Sequence, residues 1–137
     1  MKLTNVSILI IRYALALTFL SAVADRFGLW GAPGGANVAW GNYSNFLEYT
    51  ALLNPWASKT LIPIIGGIAT CLEMSFALAL IIGFRVKETS LCSAILLLMF
   101  AISMTLTLGI KVPLDYSVFS ACAAAFLLYS VIKESAK

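Results

Sequence analysis

The sequence contains no histidine, and only 11% of its 137 residues are charged. The missing imidazole excludes haem ligation by histidine, the commonest zinc ligand and the usual general base, so no metal site is predicted. A soluble domain carries roughly 25% charged residues, and so low a charged fraction is typical of a membrane protein. The three cysteines, Cys71, Cys92 and Cys122, lie in apolar runs without C-x-x-C spacing. They predict buried free thiols rather than a disulfide relay or a redox site.

Hydrophobic residues make up 61% of the chain, and the mean hydropathy is +0.97. Because a membrane-spanning helix needs about 20 apolar residues, the apolar runs predict four spans: Asn5–Phe27, Leu61–Phe84, Thr89–Leu108 and Leu114–Ile132. Two short turns and one outer loop, residues 28–60, join them. The predicted fold is a single all-α domain over residues 1–137, an integral membrane four-helix bundle in antiparallel up-down order.

The first run has a second interpretation, a cleaved signal peptide with Lys2 before the apolar region and Ala22-Val23-Ala24 at the cleavage site. Arg12 interrupts the apolar region, and the run is long enough to span a membrane, so we favour an uncleaved span. Lysine and arginine set the orientation. Five of them fall on one side of the predicted spans, against three on the other when Arg12 is left out. This bias predicts both termini in the cytoplasm.

The outer loop contains all three tryptophans of the chain, Trp30, Trp40 and Trp56. Within it, Asn42–Asn54 predicts a short helix that the Asn54-Pro55 pair stops. Amphipathic aromatic side chains prefer the headgroup level of a bilayer, so we expect this helix at the outer membrane surface. Two roles stay open, a simple aromatic anchor and a lid over a ligand.

Glu73 lies near the middle of the second predicted span, where a carboxylate is costly and is a functional-site hypothesis by default. Arg12 lies fourteen residues inward from Arg26, which is roughly 21 Å along a helix. Glu73 lies twelve residues inward from Leu61, or roughly 18 Å. The similar depths predict a buried Arg12–Glu73 ion pair. The alternatives are an Arg12 that snorkels to the headgroups, and a pair that only fixes helix packing.

Asp25 and Arg26 end the first span, either as part of the same site or as an interfacial charge pair. Counted together, this chain has an early arginine in span one, Asp25-Arg26-Phe27 at its end, and a glutamate in span two followed by Gly83-Phe84-Arg85. Its loop segment, residues 42–56, also looks like loop sequences of the family named next. In these features, over nearly its whole length, the chain resembles the DoxX family of small bacterial membrane proteins. The resemblance implies a four-helix membrane bundle in the bacterial inner membrane.

Members of that family are associated with a subunit of thiosulfate:quinone oxidoreductase and with redox-defence membrane complexes. The resemblance therefore implies a non-catalytic or quinone-linked subunit of a membrane redox complex. A quinone headgroup would lie in a bundle cavity lined by Arg12, Glu73, Phe19 and Phe76. The redox centre would belong to a membrane or peripheral partner subunit. The thiosulfate role is not carried over, because the chain offers no metal ligands and no redox-poised cysteine pair.

Two other functions stay open. One is a scaffold, assembly or small-molecule binding protein without enzymatic activity, and the other is a small proton-coupled exporter that uses Glu73. The expected surroundings are the lipid bilayer and, as a further option, other copies of the chain. Nucleic acid is excluded as a partner, because no basic patch with interleaved aromatics exists.

Overall fold

The structure is a computed structural model that describes residues 3–135. This part of the chain is all-helical, with α1 (Leu3–Arg26), α2 (Tyr43–Leu53), α3 (Ile62–Ile82), α4 (Val86–Leu108), α5 (Lys111–Asp115) and α6 (Val118–Ser135). Four of these helices, α1, α3, α4 and α6, are long and apolar enough to cross a membrane. The described residues therefore confirm the predicted all-α fold, and their four candidate spans fit a multi-pass membrane protein.

The bundle is built mainly from two helix pairs, α4 with α6 and α1 with α3. One face of α1 is turned to the core, where Ala16, Phe19 and Val23 are almost fully buried. The core continues through Leu80 of α3 and Leu128 of α6. Many large apolar side chains on the outer faces of α1, α3, α4 and α6 are exposed in the isolated chain. Such faces suit a lipid environment, where exposed apolar surface carries no hydrophobic cost.

The short helix predicted in the outer loop is confirmed within one residue at each end. The side chain of Asn42 accepts a hydrogen bond from the amide of Asn45 at 2.8 Å and caps the first turn of α2. This is the usual way to satisfy an amide that has no intrahelical partner. Phe46 and Thr50 of α2 are buried, whereas Leu52 is exposed.

The predicted start of the fourth span was wrong. Residues 111–115 form the separate helix α5, and α6 begins only at Val118, after Ser117 with a φ of 57°. A left-handed residue ends a right-handed helix, so the apolar run breaks at this point. Asp115, expected at the N-terminus of the span, instead pairs with Lys111 one turn earlier in α5.

The expected burial of the cysteines was also wrong. All three thiols are free, but Cys71 and Cys92 are exposed, and Cys122 is only partly buried. The sulfur of Cys122 donates a hydrogen bond to the carbonyl of Ala94 at 3.3 Å, across the α4–α6 contact. The two exposed cysteines lie on outward faces of α3 and α4. The prediction failed because the position of a residue within an apolar run does not show which face of the helix the residue occupies.

Arg12 holds the end of α3. Its Nε and Nη2 donate to the carbonyl of Leu80 at 2.9 and 2.8 Å, and Nη2 also donates to the carbonyl of Ile81 at 3.2 Å. The last carbonyls of a helix lack intrahelical partners, and inside a membrane protein they need another donor. Gly83 ends the helix with a φ of 79°. A Cβ on Gly83 would lie 2.9 Å from Arg12 Nη2, so the guanidinium and the glycine depend on each other.

We expect Gly83→Ala to lower the free energy of unfolding by about 1–3 kcal/mol, because it adds backbone strain and pushes Arg12 from the carbonyls. Gly34→Ala is the matched control, since Gly34 also has a positive φ, +83°, but nothing lies within 4 Å of its added Cβ. Thermal unfolding in detergent measures both. Equal losses in the two variants would show that the contact with Arg12 contributes nothing.

Candidate functional site: a buried ion pair beneath an aromatic lid

Glu73 forms a buried ion pair with Arg26, the last residue of α1. The two side chains are only 4% and 3% exposed. Arg26 Nη1 also donates a hydrogen bond to Thr70 Oγ1 at 2.8 Å, one turn before Glu73 on α3. Thr70 in turn donates to the carbonyl of Gly66 at 2.8 Å. The guanidinium is therefore fixed on the face of α3 that carries Gly66, Thr70 and Glu73.

The predicted Arg12–Glu73 pair was wrong, because Glu73 takes Arg26 and Arg12 takes the end of α3. The depth calculation placed Arg26 level with Leu61 at a common outer boundary. In the structure Arg26 lies beside Thr70, nine residues farther along α3 than Leu61. This offset corresponds to roughly 13 Å, and it moves Arg12 by the same amount toward Leu80. The snorkelling alternative also does not describe Arg12, whose guanidinium binds backbone carbonyls of α3.

Two aromatic rings cover the guanidinium of Arg26. Its Cζ lies 3.9 Å from the centroid of the Phe46 ring and 5.4 Å from that of the Trp40 ring. The Trp40 and Phe46 rings contact each other edge to face, with centroids 5.2 Å apart. A cation over an aromatic face gains more when water is excluded, which is the case here. We name residues 39–53 the lid, since they close over the ion pair.

The lid can approach α3 closely because Gly66 has no side chain. A Cβ at this position would lie 2.7 Å from Leu47 Cδ2 and 3.2 Å from Phe46 Cε1. Tyr49 of α2 packs against Trp40, with ring centroids 5.8 Å apart. Burial raises the pKa of Tyr49, and the nearby Tyr116 raises this pKa further. The inner side of the lid is thus largely withdrawn from water.

Asp25 fastens the start of the lid to the end of α1. Its carboxylate accepts hydrogen bonds from three consecutive amides, those of Ala39 at 2.8 Å, Trp40 at 2.8 Å and Gly41 at 2.9 Å. Asp25 is only 6% exposed. The two neighbouring charges therefore have different partners, Asp25 in the lid and Arg26 on α3. Together they place Trp40 above the ion pair.

The remaining predicted site residues are the aromatic side chains of Phe19 and Phe76. Phe19 and Phe76 contact each other, with ring centroids 6.3 Å apart, so the structure brings them together. In the described part of the chain, however, the rings over the guanidinium are those of Phe46 and Trp40. Sequence analysis placed Trp40 in the outer loop and the predicted short helix over a range that contains Phe46, but it assigned neither residue to the site. The one usable signal was the shared face of Phe46 and its neighbours on the predicted short helix.

One donor of the site has no partner. Arg26 Nε is buried, and no acceptor among residues 3–135 hydrogen bonds to it. A buried donor left without an acceptor is expensive, and such atoms in native structures call for an explanation. The guanidinium therefore has one donor left to offer, and it lies against the rings of Phe46 and Trp40.

Comparison with known proteins does not assign the chain to a family. No protein-family model, no curated protein and no solved structure matches the sequence or the fold.

We expect Asp25→Asn to loosen the lid, because an amide has a single acceptor oxygen where the carboxylate receives three donors. Loss of hydrogen bonds to a charged group costs about 1–3 kcal/mol, and hydrogen exchange at residues 39–41 should speed up by roughly tenfold or more. Glu48→Gln is the control, since Glu48 is an exposed acid on the same lid. Unchanged exchange in Asp25→Asn would remove its role as the fastening residue.

Proposed function

We propose that this chain is a DoxX-like inner-membrane protein that serves as the quinone-linked, membrane-embedded subunit of a redox complex. The observation that carries the proposal is the buried Arg26 guanidinium, which has an unpartnered Nε and lies against the rings of Phe46 and Trp40. A flat ring with carbonyl oxygens matches both features. The carbonyl oxygen can accept from Nε, and the ring can stack with the aromatic side chains.

The proposed arrangement is an antiparallel up-down bundle with both termini in the cytoplasm and the lid at the outer membrane surface. Contacts support the antiparallel order, since Arg12 near the start of α1 binds the end of α3, and Arg26 at the end of α1 binds its middle. The aromatic content of the lid supports an interfacial position. Of the five cytoplasmic cations that support the orientation, Lys2 and Lys137 lie outside the described residues.

The residues that would hold a quinone are Arg26 as donor, Glu73 as its counter-ion, and Phe46 with Trp40 as stacking partners. When bound, such a group supplies two-electron redox chemistry, with electrons exchanged through a partner subunit. The protein contributes orientation, exclusion of water and a carboxyl that can hold a proton. Arginine keeps its charge throughout, so the pair is neutral overall while Glu73 is ionised and becomes cationic when Glu73 holds a proton. Access to Nε requires the lid to move, because Phe46 covers the guanidinium.

A second candidate is a scaffold or assembly subunit that binds no quinone, and one observation favours it. Two cavities of the bundle, of ≈ 340 and ≈ 350 Å³, lie against α1 with α6 and against α3 with α4, away from the ion pair. The ion pair is closed to solvent, and a buried ion pair can serve only to fix how two helices pack against each other. In this case the lid would be part of a docking surface for another membrane protein.

We expect a short-chain ubiquinone to quench Trp40 fluorescence saturably in a Trp30→Phe, Trp56→Phe background, because Trp40 lies beside the proposed ring position. Arg26→Lys keeps the positive charge but removes the planar donor, so it should weaken the apparent affinity roughly tenfold or more. Arg85→Lys, at an exposed arginine far from the lid, is the control. Quenching that rises linearly without saturation in the parent protein, or equal affinity in Arg26→Lys, would contradict quinone binding and favour the scaffold.

A further inference from the structure

The turn between α3 and α4 opens onto a groove of ≈ 350 Å³ that the proposed function does not use. Its walls are apolar along the helices, with Phe76 and Ala79 from α3 and Cys92 from α4, and Phe84 closes one end. At the same end lie Arg85 and Glu88. A volume of this size falls within the range of small-ligand sites, which is about 300–1,000 Å³.

The groove has apolar walls, and the guanidinium of Arg85 lies at one end of it. The Arg85 side chain is 65% exposed, and its contact with Glu88, 3.8 Å from Nε to Oε2, is long and solvent-accessible. Such exposed pairs contribute little, about 0–1 kcal/mol, so a phosphate can compete with Glu88 for the guanidinium. Lys87, in the first turn of α4, is a second cation next to Arg85 and Glu88 in the sequence, although it does not line the groove. The local charge is therefore positive even with Glu88 counted.

The position of the groove in the bundle determines which ligands can reach it. The turn joins two helices of membrane-spanning length. Its charged residues therefore lie where the spans end and lipid headgroups begin. The groove runs from there along α3 and α4, which is the direction of a lipid acyl chain. Basic sites between membrane helices are known to bind anionic lipid headgroups.

A second groove of the bundle provides a comparison within the same molecule. The groove of ≈ 340 Å³ between α1 and α6 is lined by apolar and hydroxyl side chains, among them Ile8, Ile11 and Leu128. No charged side chain is among its lining residues within the described range. It can accept acyl chains of any lipid but offers no charge to select a headgroup.

We propose that the α3–α4 groove is a binding site for an anionic phospholipid, with the phosphate on Arg85 and an acyl chain between Phe76, Ala79 and Cys92. The site selects the lipid by its negative headgroup, and Glu88 limits the affinity. It does not depend on the quinone site, which lies beneath the lid at the middle of α3.

The test is native mass spectrometry of the full chain released from nanodiscs with equal amounts of phosphatidylglycerol and phosphatidylcholine. We expect the parent protein to retain phosphatidylglycerol in preference. Arg85→Gln should reduce this preference roughly fivefold, whereas Glu88→Gln should increase it. Lys111→Gln is the control, because Lys111 is an exposed cation at the other end of α4. Equal retention of both lipids by the parent, or an unchanged preference in Arg85→Gln, would overturn the proposal.

Alkylation of the exposed cysteines locates the lipid. Phosphatidylglycerol in detergent should slow the reaction of Cys92 with N-ethylmaleimide, and Cys71, which is exposed but does not line the groove, serves as the internal reference. Inorganic phosphate at the same concentration should not protect Cys92, since it has no acyl chain. Equal protection of both cysteines, or protection by phosphate alone, would contradict a lipid in the groove.

Discussion

The ion pair between Arg26 and Glu73 is the constraint on which the rest of the structure depends. Each charge taken out of water costs several kcal/mol even after relaxation, and only a close partner with further hydrogen bonds offsets this cost. The pair therefore fixes the end of α1 against the middle of α3. Because Arg26 ends its helix at that level, the chain must continue over the pair, and the lid closes the site.

Two local features place the lid over the ion pair. Asp25 directs the amides of residues 39–41 toward the end of α1 and so positions Trp40. Gly66 removes the side chain that would keep α2 away from α3. The result is a guanidinium with a carboxylate on one side and aromatic rings on its face. This surrounding is dry, contains the permanent charge of a guanidinium and lacks one acceptor. The proposed quinone site rests on these three properties.

Much of the fold was open to prediction from the sequence. Span length and charge depletion predict α1, α3 and α4 closely, and Asn42 with Asn54 marks the ends of α2. The inward faces of α1 and α3 follow from helical spacing. The partner of Glu73 could not be predicted, because it depends on how far one helix is shifted along another. Side-chain spacing within a helix contains no information on that shift, and a displacement of roughly 13 Å exchanges Arg12 for Arg26. The break before α6 was missed for a similar reason, since Ser117 gives no signal of its left-handed backbone.

A double-mutant cycle on the ion pair tests the central claim most directly, with Arg26→Met, Glu73→Gln and the double variant compared by unfolding of the full chain in detergent. Breaking one partner of a buried pair costs about 3–5 kcal/mol, so each single change should be severe and the double change should recover part of the loss. The same cycle with Arg12→Met in place of Arg26→Met should be additive, since Arg12 binds the carbonyls of α3. Additive losses for Arg26 and Glu73, or coupling of Glu73 to Arg12 instead, would contradict this account.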